Sequence, residues 1–561
     1  MTPRPAAWLA APRADAGMHL LADNGEWIRT SYPDLAAAAL RAAAGLAGLG
    51  VGRDDVVCLV MPTEIRSVTA IYAVWAAGAT IAPLAPPLFD APDAYVELLR
   101  GILVQARPKV VLTIAAYESL VTTAVERAGI ETVISTPDAL EQAPAGPLPA
   151  DPEQSAVALL QFTSGSTGTP RGVRVTWDNL TANFGALDEF ARIGFHGGFA
   201  SWLPLHHDMG LIGALLFPIG RQLDLWLMRP DQFVRDPARW LECFTPGKAR
   251  HAACPTFGLA YVVRRVKPAR LATLDLSAMR AVVVGAEHVD PEVLHRFDEF
   301  VRSAGVTENV VYPAYGLAEN TVAVTTRSYG QEQRLVRLDP QAVRFGAPAP
   351  ILATAELDDV DGAGNWLAGH GMPSPDTGIG VEIRGEDATA LPDGHIGEIV
   401  VSGSSVAAGY HGGDSDCDTF RDGRLWTGDA GFVHGGDLYV LGRMGTSLKV
   451  NGRSVYAEDL DTRIAAETGI ARRKLATVAV TEAGRPGVVV FAATAPGTWA
   501  QDTYLLLRKE FGTTVDVTVV AGPPAMILRT SSGKPRRRMM WQQWQAGELP
   551  GRRVEPIEAH A

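Results

Sequence analysis

The chain has 561 residues, 47% hydrophobic and 20% charged, with 50 Lys and Arg against 62 Asp and Glu for a net charge of −12. That is the balance of an ordinary folded protein long enough for about three or four domain-sized units. Its acidity excludes nucleic acid as a partner, so any anionic ligand must be held by a few placed cations and backbone N–H groups.

The N-terminal run MTPRPAAWLAAPRADAG breaks with Pro and Arg too early for a signal peptide. Leu35–Gly50, LAAAALRAAAGLAGLG, is Ala/Leu-rich and closed by Gly, which predicts a helix with its stop signal. DVVCLVM follows as a short buried strand, and EIRSVTAIYAVWAAG as a second helix ended by Gly. The most apolar window, AIYAVWAAGATIAPLAPPL, is interrupted by Gly, Thr and three Pro. It falls short of the ~18 uninterrupted apolar residues of a membrane span. The β-branched runs PKVVLTI, AVALLQFT, RAVVVGAE and NVVYPAYG, separated by helical spacers, predict an α/β fold of parallel sheets packed with helices.

Gln331 to Met372, rich in Ala, Pro, Gly and Asp, reads as a loop-like insertion. From about Asp376 short strands divided by Gly and Asp, such as RLWTGDAGFVHGGDLYVLGR, predict hairpins of a barrel-like unit. From roughly Met444 onward ATVAVTE, GVVVFAAT, TYLLLRKEFG and VDVTVVA predict a small α+β unit of its own. The four cysteines (Cys58, Cys243, Cys254, Cys417) form no CxxC pair. This disfavours a zinc site or a disulfide framework and suits the reducing cytoplasm.

The most informative stretch is LLQFTSGSTGTPRGV, Leu159 to Val173. Successive glycines let backbone N–H groups converge on an anion, hydroxyls add donors, and Arg171 supplies a cation, which together describe a phosphate cradle. GxxxxGK[ST] fits neither here nor at SSGKP near the end, so this is not the usual P-loop. A flexible surface loop is the competing reading.

The order (aromatic)-T-S-G-S-T-G-x-P-(K/R)-G-V resembles the adenylate-forming superfamily of acyl-CoA synthetases, peptide-synthetase adenylation domains and luciferases. By that resemblance Thr163, Ser164, Gly165, Ser166, Thr167, Gly168 and Arg171 hold the phosphates of ATP, Arg171 standing where many members carry Lys. YPAYGLAEN, Tyr312–Asn320, is similar to the family's Y-G-x-x-E; Tyr315 and Gly316 would meet adenine and Glu319 would help hold Mg²⁺. VVVGAEHV implies a nucleotide-lining turn at Gly285, Ala286 and Glu287, with Val284 where Asn is frequent. LWTGD supplies Asp429 for the ribose hydroxyls, LGR supplies Arg443, and RTSSGKPRRR supplies Lys534 as the catalytic lysine. Taken alone, Tyr315 reads as a core aromatic and Asp429 as a turn residue. Arg536, Arg537 and Arg538 read as the solvated start of a final helix, with some attraction for an acidic carrier protein. The charged hinge residue of the family is replaced in GRMGTSLKVNG by Gly445 and Thr446.

Within the superfamily WLPLHHDMGLIGALL, Trp202–Leu216, is most similar to the fatty acyl-AMP ligases, with acyl-CoA synthetases next. The segment 331–372 sits where those ligases carry an insertion thought to restrain the small domain and disfavour CoA. His206, His207 and Asp208 invite a metal reading, but adjacent residues of a strand point to opposite faces. The resemblance instead implies an acyl pocket of His207, Met209, Gly210 and Phe257, with Gly258 on its wall.

The resemblance implies a large domain over residues 1–442, with the insertion at about 331–372 and the barrel-like part at about 373–442, and a mobile lid over 443–561. It implies ATP- and Mg²⁺-dependent conversion of a hydrophobic carboxylic acid to acyl-AMP, then transfer to the phosphopantetheine thiol of a separate acyl carrier protein. CoA as acceptor, and a non-catalytic adenylate-binding protein, are the alternatives.

Overall fold

The computed structural model of the protein describes residues 6–87, 92–142, 146, 153–163, 170–191, 197–340, 342–359, 366–412, 419–444, 447–450, 453–482, 485–529 and 535–555. Ser164, Gly165, Ser166, Thr167, Gly168, Gly445, Thr446 and Lys534 lie outside them.

A hairpin not predicted above opens the fold: β1 (Gly17–Leu21) and β2 (Trp27–Ser31) pair antiparallel across Asn24-Gly25, with Gly25 at φ +85°. Ser31 caps α1 (Tyr32–Gly48) by accepting the Asp34 N–H, with Pro33 in the first turn, so the helix starts three residues before the apolar run. β3 (Val56–Val60), α2 (Ile65–Ala76), β4 (Thr80–Leu84), α3 (Pro92–Ala106), β5 (Val110–Thr113), α4 (Glu118–Ala128) and β6 (Val133–Ser135) alternate; β3, α2 and β5 match the runs read above, whereas β4 and β6 were not foreseen. β3, β4 and β5 are buried at every position, as strands covered by helices on both faces must be.

β7 (Val157–Thr163) and β8 (Arg171–Thr176) complete a six-stranded sheet in the order β6-β5-β3-β4-β7-β8. β7 and β8 are antiparallel, with Thr163 opposite Arg171, so the glycine-rich run connects two neighbouring strands. Trp75 Nε1 donates to Ala158 O at 2.8 Å and ties α2 to β7.

After α5 (Trp177–Ala191) come β9 (Gly198–Ser201), β10 (Leu225–Leu227), β11 (Ala249–Cys254), α6 (Thr256–Arg265), β12 (Ala281–Val284), α7 (Pro291–Arg302), β13 (Val311–Gly316) and β14 (Ala323–Thr326). They form an eight-stranded sheet ordered β14-β13-β12-β11-β9-β10-β1-β2. It is parallel in its middle and antiparallel at both ends. One apolar core runs through both sheets.

The segment 331–372 is not loop-like. β15 (Arg334–Leu338), β16 (Ile351–Glu356) and β17 (Trp366–Ala368) form an antiparallel sheet centred on β15. Val336, Leu338 and Val343 pack with Phe432, Tyr439 and Leu441 of the hairpins that follow. Antiparallel structure therefore begins well before Asp376, in strands of three to six residues separated by connections rich in Pro, Gly and Asp. β18 (Ile379–Arg384), β19 (Gly397–Gly403), β20 (Phe420–Arg421), β21 (Arg424–His434) and β22 (Asp437–Arg443) make the second antiparallel sheet.

β23 (Ser447–Val450) and β24 (Arg453–Tyr456) form a hairpin. α8 (Ala457–Thr468), β25 (Leu475–Glu482), β26 (Arg485–Ala492), α9 (Thr498–Phe511), β27 (Asp516–Ala521), α10 (Arg537–Gln545) and β28 (Arg552–Val554) follow. Side chains of β26 alternate between two small cores. Val488 and Val490 pack with Leu460 and Leu507, while Val489 and Phe491 pack with Met526 and Met540. Both cores draw only on residues after 454. No helix among the described residues is long and apolar enough to cross a membrane.

Asp437 ties three parts together. Its carboxylate is 2% exposed, meets Arg327 Nη1 at 2.7 Å, and accepts the Gly371 N–H at 3.1 Å. Arg327→Met would leave that buried charge without its close partner. A loss of ~3–5 kcal/mol is expected in urea unfolding. Arg334→Met, at 3.8 Å on a half-exposed guanidinium, should cost under ~1 kcal/mol.

Candidate active site

A cavity of about 2110 Å³ opens between the large sheets, the hairpins and the C-terminal α+β unit. That is larger than a one-ligand pocket of ~300–1,000 Å³ and makes it a cleft. Of the described residues singled out in the sequence, Thr163, Arg171, Gly285, Ala286, Glu287, Tyr315, Gly316, Glu319, Asp429, Arg443, His207, Met209 and Phe257 all line it. Gly210 does not. A Cβ there would lie 2.3 Å from the Pro204 carbonyl oxygen and 2.9 Å from Leu203 Cβ, so Gly210 is small because the backbone packs against it. Gly258 likewise packs on Cys254 and Trp202 instead of forming cavity wall.

Asp429 anchors one end. The β21–β22 register places Asp429 opposite Arg443, and Gly428 makes the preceding turn at φ +70°. Arg443 Nε meets Asp429 Oδ1 at 2.8 Å, and Arg443 Nη1 donates to Thr427 O at 2.9 Å. From the end of β13 the buried Tyr315 hydroxyl donates to Asp429 Oδ2 at 2.6 Å. Burial, and then the Asp429 charge, hold the phenol well above its ordinary pKa, so it is a donor at neutral pH. The Asp429 charge is the main cause that raises the pKa of Arg443. Each Asp429 oxygen has one protein partner, which leaves lone pairs for further hydroxyl donors.

Arg171 and Glu319 meet through a residue that the motifs did not name. The Tyr410 hydroxyl donates to Glu319 Oε1 at 2.7 Å and accepts from Arg171 Nη2 at 3.1 Å. The Arg171 guanidinium lies over the Tyr410 ring, 4.0 Å from its centroid, a cation–π contact. Backbone pairs fix Tyr410 from both sides: Arg174 N to Gly409 O at 2.9 Å and His411 N to Gly172 O at 2.7 Å. A tyrosine in AAGYHGG gives no local sign of this, because its partners are distant in the chain.

Glu319 Oε2 accepts no hydrogen bond among the described residues. One carboxylate oxygen left over, beside a cation that attracts phosphate, fits Mg²⁺, which is usually held by one or two carboxylates together with phosphate oxygens. No group of three or more His, Cys, Asp or Glu among the described residues could hold a metal without such help.

The turn after β12 is shaped for close approach. A Cβ on Gly285 would come 2.8 Å from Ala314 O, and Ala286 holds φ +66°. Glu287 Oε1 accepts the Phe257 N–H at 2.7 Å, joining this turn to α6.

His206 and His207 lie in a turn, not a strand, so the alternation argument used against a metal does not apply to them. His207 Nδ1 meets Asp208 Oδ1 at 2.7 Å. Burial, and then His207, pull His206 down to about 3, so it is neutral. Gln161 Nε2 donates to the His206 carbonyl at 2.8 Å.

From the C-terminal unit, Arg529 and Pro535 pair across the run that contains Lys534, and both line the cleft. The final helix begins only partly in solvent: Arg538 is exposed, whereas the Arg537 side chain is 12% exposed and pairs with Glu458 at 2.9 Å and Asp461 at 2.6 Å. The sequence could not show those acids, which lie nearly eighty residues earlier on α8.

Comparison with known proteins gives a consistent result. The family described as AMP-binding enzyme matches residues 10–411. The long-chain-fatty-acid–AMP ligase FadD26 of Mycobacterium marinum is 30% identical over 519 residues, 86% of each chain. A putative fatty-acid–CoA ligase, fadD21 of Mycobacterium bovis, is 32% identical over 438 residues, 74% of this chain and 73% of its own. A structure from a study of the fatty acyl-adenylate ligases of E. coli and L. pneumophila superposes with a TM-score of 0.87 at 29% identity, over 97% of this chain and 98% of that one.

The β13–β14 turn gives a direct test of the site's packing. A Cβ on Gly316 would sit 2.0 Å from Val322 O. Gly316→Ala should cost ~1–3 kcal/mol by overpacking and shift Tyr315 from Asp429, read by urea unfolding and tyrosine fluorescence.

Proposed function

The chain belongs to the AMP-binding enzyme family, and from that premise we propose that it activates a fatty or similarly hydrophobic carboxylic acid and passes the acyl group to the phosphopantetheine thiol of a separate acyl carrier protein. It is an acyl adenylate-forming acid–thiol ligase that uses ATP. The observation that supports the adenylation step is the convergence on one cleft of the Asp429 trio, the Arg171–Tyr410–Glu319 trio and an apolar wall of Met209 and Phe257.

The chemistry brings two anions together. A carboxylate oxygen attacks the α-phosphorus of ATP, the α–β phosphoanhydride bond breaks, and pyrophosphate leaves with that electron pair. Charge builds on the phosphoryl oxygens and on the leaving group, where preorganised cations and N–H donors lower the barrier.

In this reading Thr163 to Gly168 and Arg171 cradle the β- and γ-phosphates, and Tyr410 positions Arg171 beside Glu319. Glu319 would hold Mg²⁺, which offsets phosphate charge when bound. Tyr315, Gly316 and the 285–287 turn bound the base, Asp429 accepts from the ribose hydroxyls, and Arg443 sits by the ribose and phosphate. Lys534 bridges the carboxylate and α-phosphate. His207, Met209 and Phe257 flank the acyl chain. In the second step the thiol sulfur attacks the acyl carbon, its proton passes to solvent, and AMP leaves.

We place the boundary between body and lid at 442/443, the insertion at 331–372 and the barrel-like part at 373–442. Rotation about that boundary would free the thiol's path, with Gly445 supplying the backbone freedom. Buried free Cys58, Cys243 and Cys254 suit a cytoplasmic setting.

Pyrophosphate exchange driven by a panel of carboxylic acids tests the first step, and acylation of holo-carrier protein against CoA tests the second. Exchange with no acid at all would point to a non-catalytic adenylate binder. Lys534→Ala should lower exchange ~10²–10³-fold with the fold intact. Tyr410→Phe keeps the ring but removes the hydroxyl that joins Arg171 to Glu319. It should raise KM for MgATP ~10-fold, the worth of a hydrogen bond to a charged group, at an unchanged Tm.

A further inference from the structure

Body and lid carry opposite charge. Residues 443–561 hold 17 Lys or Arg and 11 Asp or Glu, whereas residues 1–442 hold 33 and 51. Several of the lid's acids are already engaged: Glu458 and Asp461 hold Arg537, Glu510 holds Arg463, and Asp516 pairs with Arg485.

The surplus base collects on one rim. Arg472, Arg473 and Lys474 form the turn into β25, and Arg536 and Arg538 stand at the start of α10, which packs on β25. Arg473, Lys474 and Arg538 are exposed. None of these five forms an ion pair among the described residues. Arg264, exposed at the outer end of α6, faces them; burial and then Arg264 lower the pKa of Arg473. The acids that line the same cleft include Asp290, Glu292 and Glu467. Crowded like charges without counter-ions favour an anionic partner, both in encounter rate and in orientation.

We propose that this rim, Arg472–Lys474 with Arg536 and Arg538 opposite Arg264, is the docking surface for an acidic protein that bears the acceptor thiol. The proposal rests on the reading that the acyl group leaves on a carrier-bound phosphopantetheine. The cations are spread over a turn, a helix start and a second unit, and three of the five on the lid are exposed. They make an open rim suited to a protein face, whereas a small phosphate needs convergent donors in a concave cradle. The rim borders the cleft itself, which Arg264, Arg472, Arg473, Arg536 and Arg538 line. From Phe257, beside Glu287, to Arg264 the α6 axis rises ~10 Å, a gap that a flexible arm would cross. The acid excess of the body would turn away an extended polyanion and leave the rim to a compact partner.

The test measures acyl transfer to an acidic holo-acyl carrier protein and, in parallel, to CoA and to free pantetheine, together with pyrophosphate exchange. Wild type is compared with the Arg473→Glu/Lys474→Glu double variant and with Arg538→Glu. The expected result is a KM for the carrier raised ~10-fold or more and rising steeply with salt in wild type. Pyrophosphate exchange and transfer to pantetheine stay unchanged. Arg473→Gln/Lys474→Gln, which removes charge without adding any, should give a smaller rise and guards against misfolding of the reversed variants. An unchanged carrier KM, or a wild-type KM indifferent to salt, overturns the docking surface while the acceptor reading stands. Transfer from wild type to CoA alone, with the carrier refused, overturns the acceptor reading and this proposal with it.

Discussion

Asp429 is a carboxylate on the wall of a cleft with a protein donor on each oxygen, one from Tyr315 and one from Arg443. The arrangement constrains much of the fold. Tyr315 reaches Asp429 only if β13 ends at the cleft, and Arg443 reaches it only if β21 and β22 pair in the observed register. The parallel sheet and the antiparallel hairpins are thus fixed against each other where a nucleotide would lie. A slip of one residue in that hairpin would turn Arg443 to the other face.

A second constraint is electrostatic. Arg171 leaves the glycine-rich run and Glu319 follows β13, and a cation and a carboxylate so placed would be expected to pair directly. Tyr410 stands between them, with its ring under one and its hydroxyl on the other. The arginine is held without being neutralised by direct contact with the acid, and the acid keeps one oxygen without a hydrogen bond. That oxygen of the acid is left for a cation. Residues 409–411 pair with β8, so the hairpin unit contributes to the Arg171 end of the cleft as well as to its Asp429 end.

Legibility in the sequence followed the range of each signal. Strands β3, β5, β7 and β12 were readable because a strand covered on both faces is a continuous apolar run, and α2 because Gly ends it. Residues 331–372 were not, since the strands there are short, pack on residues far along the chain, and are separated by connections rich in Pro and Gly. Arg537 was taken for a solvated residue because basic runs usually are, and its burial depends on Glu458 and Asp461 on another helix. His206 and His207 were placed on a strand by their setting after one, but the chain turns at Leu205.

The sequence by itself determined the family. Glycines, hydroxyls and a cation in one short run, a Tyr-Gly-x-x-Glu, a Thr-Gly-Asp and a Gly-Lys-Pro are contiguous patterns, which are legible without any knowledge of distant contacts. Only the tertiary structure decided which of these residues share a space and what stands between them. Tyr410 meets Arg171 across 239 positions of chain, and Gly210 faces Pro204 instead of the cleft. Such contacts arise from how sheets and hairpins stack, a long-range packing that no local residue pattern encodes.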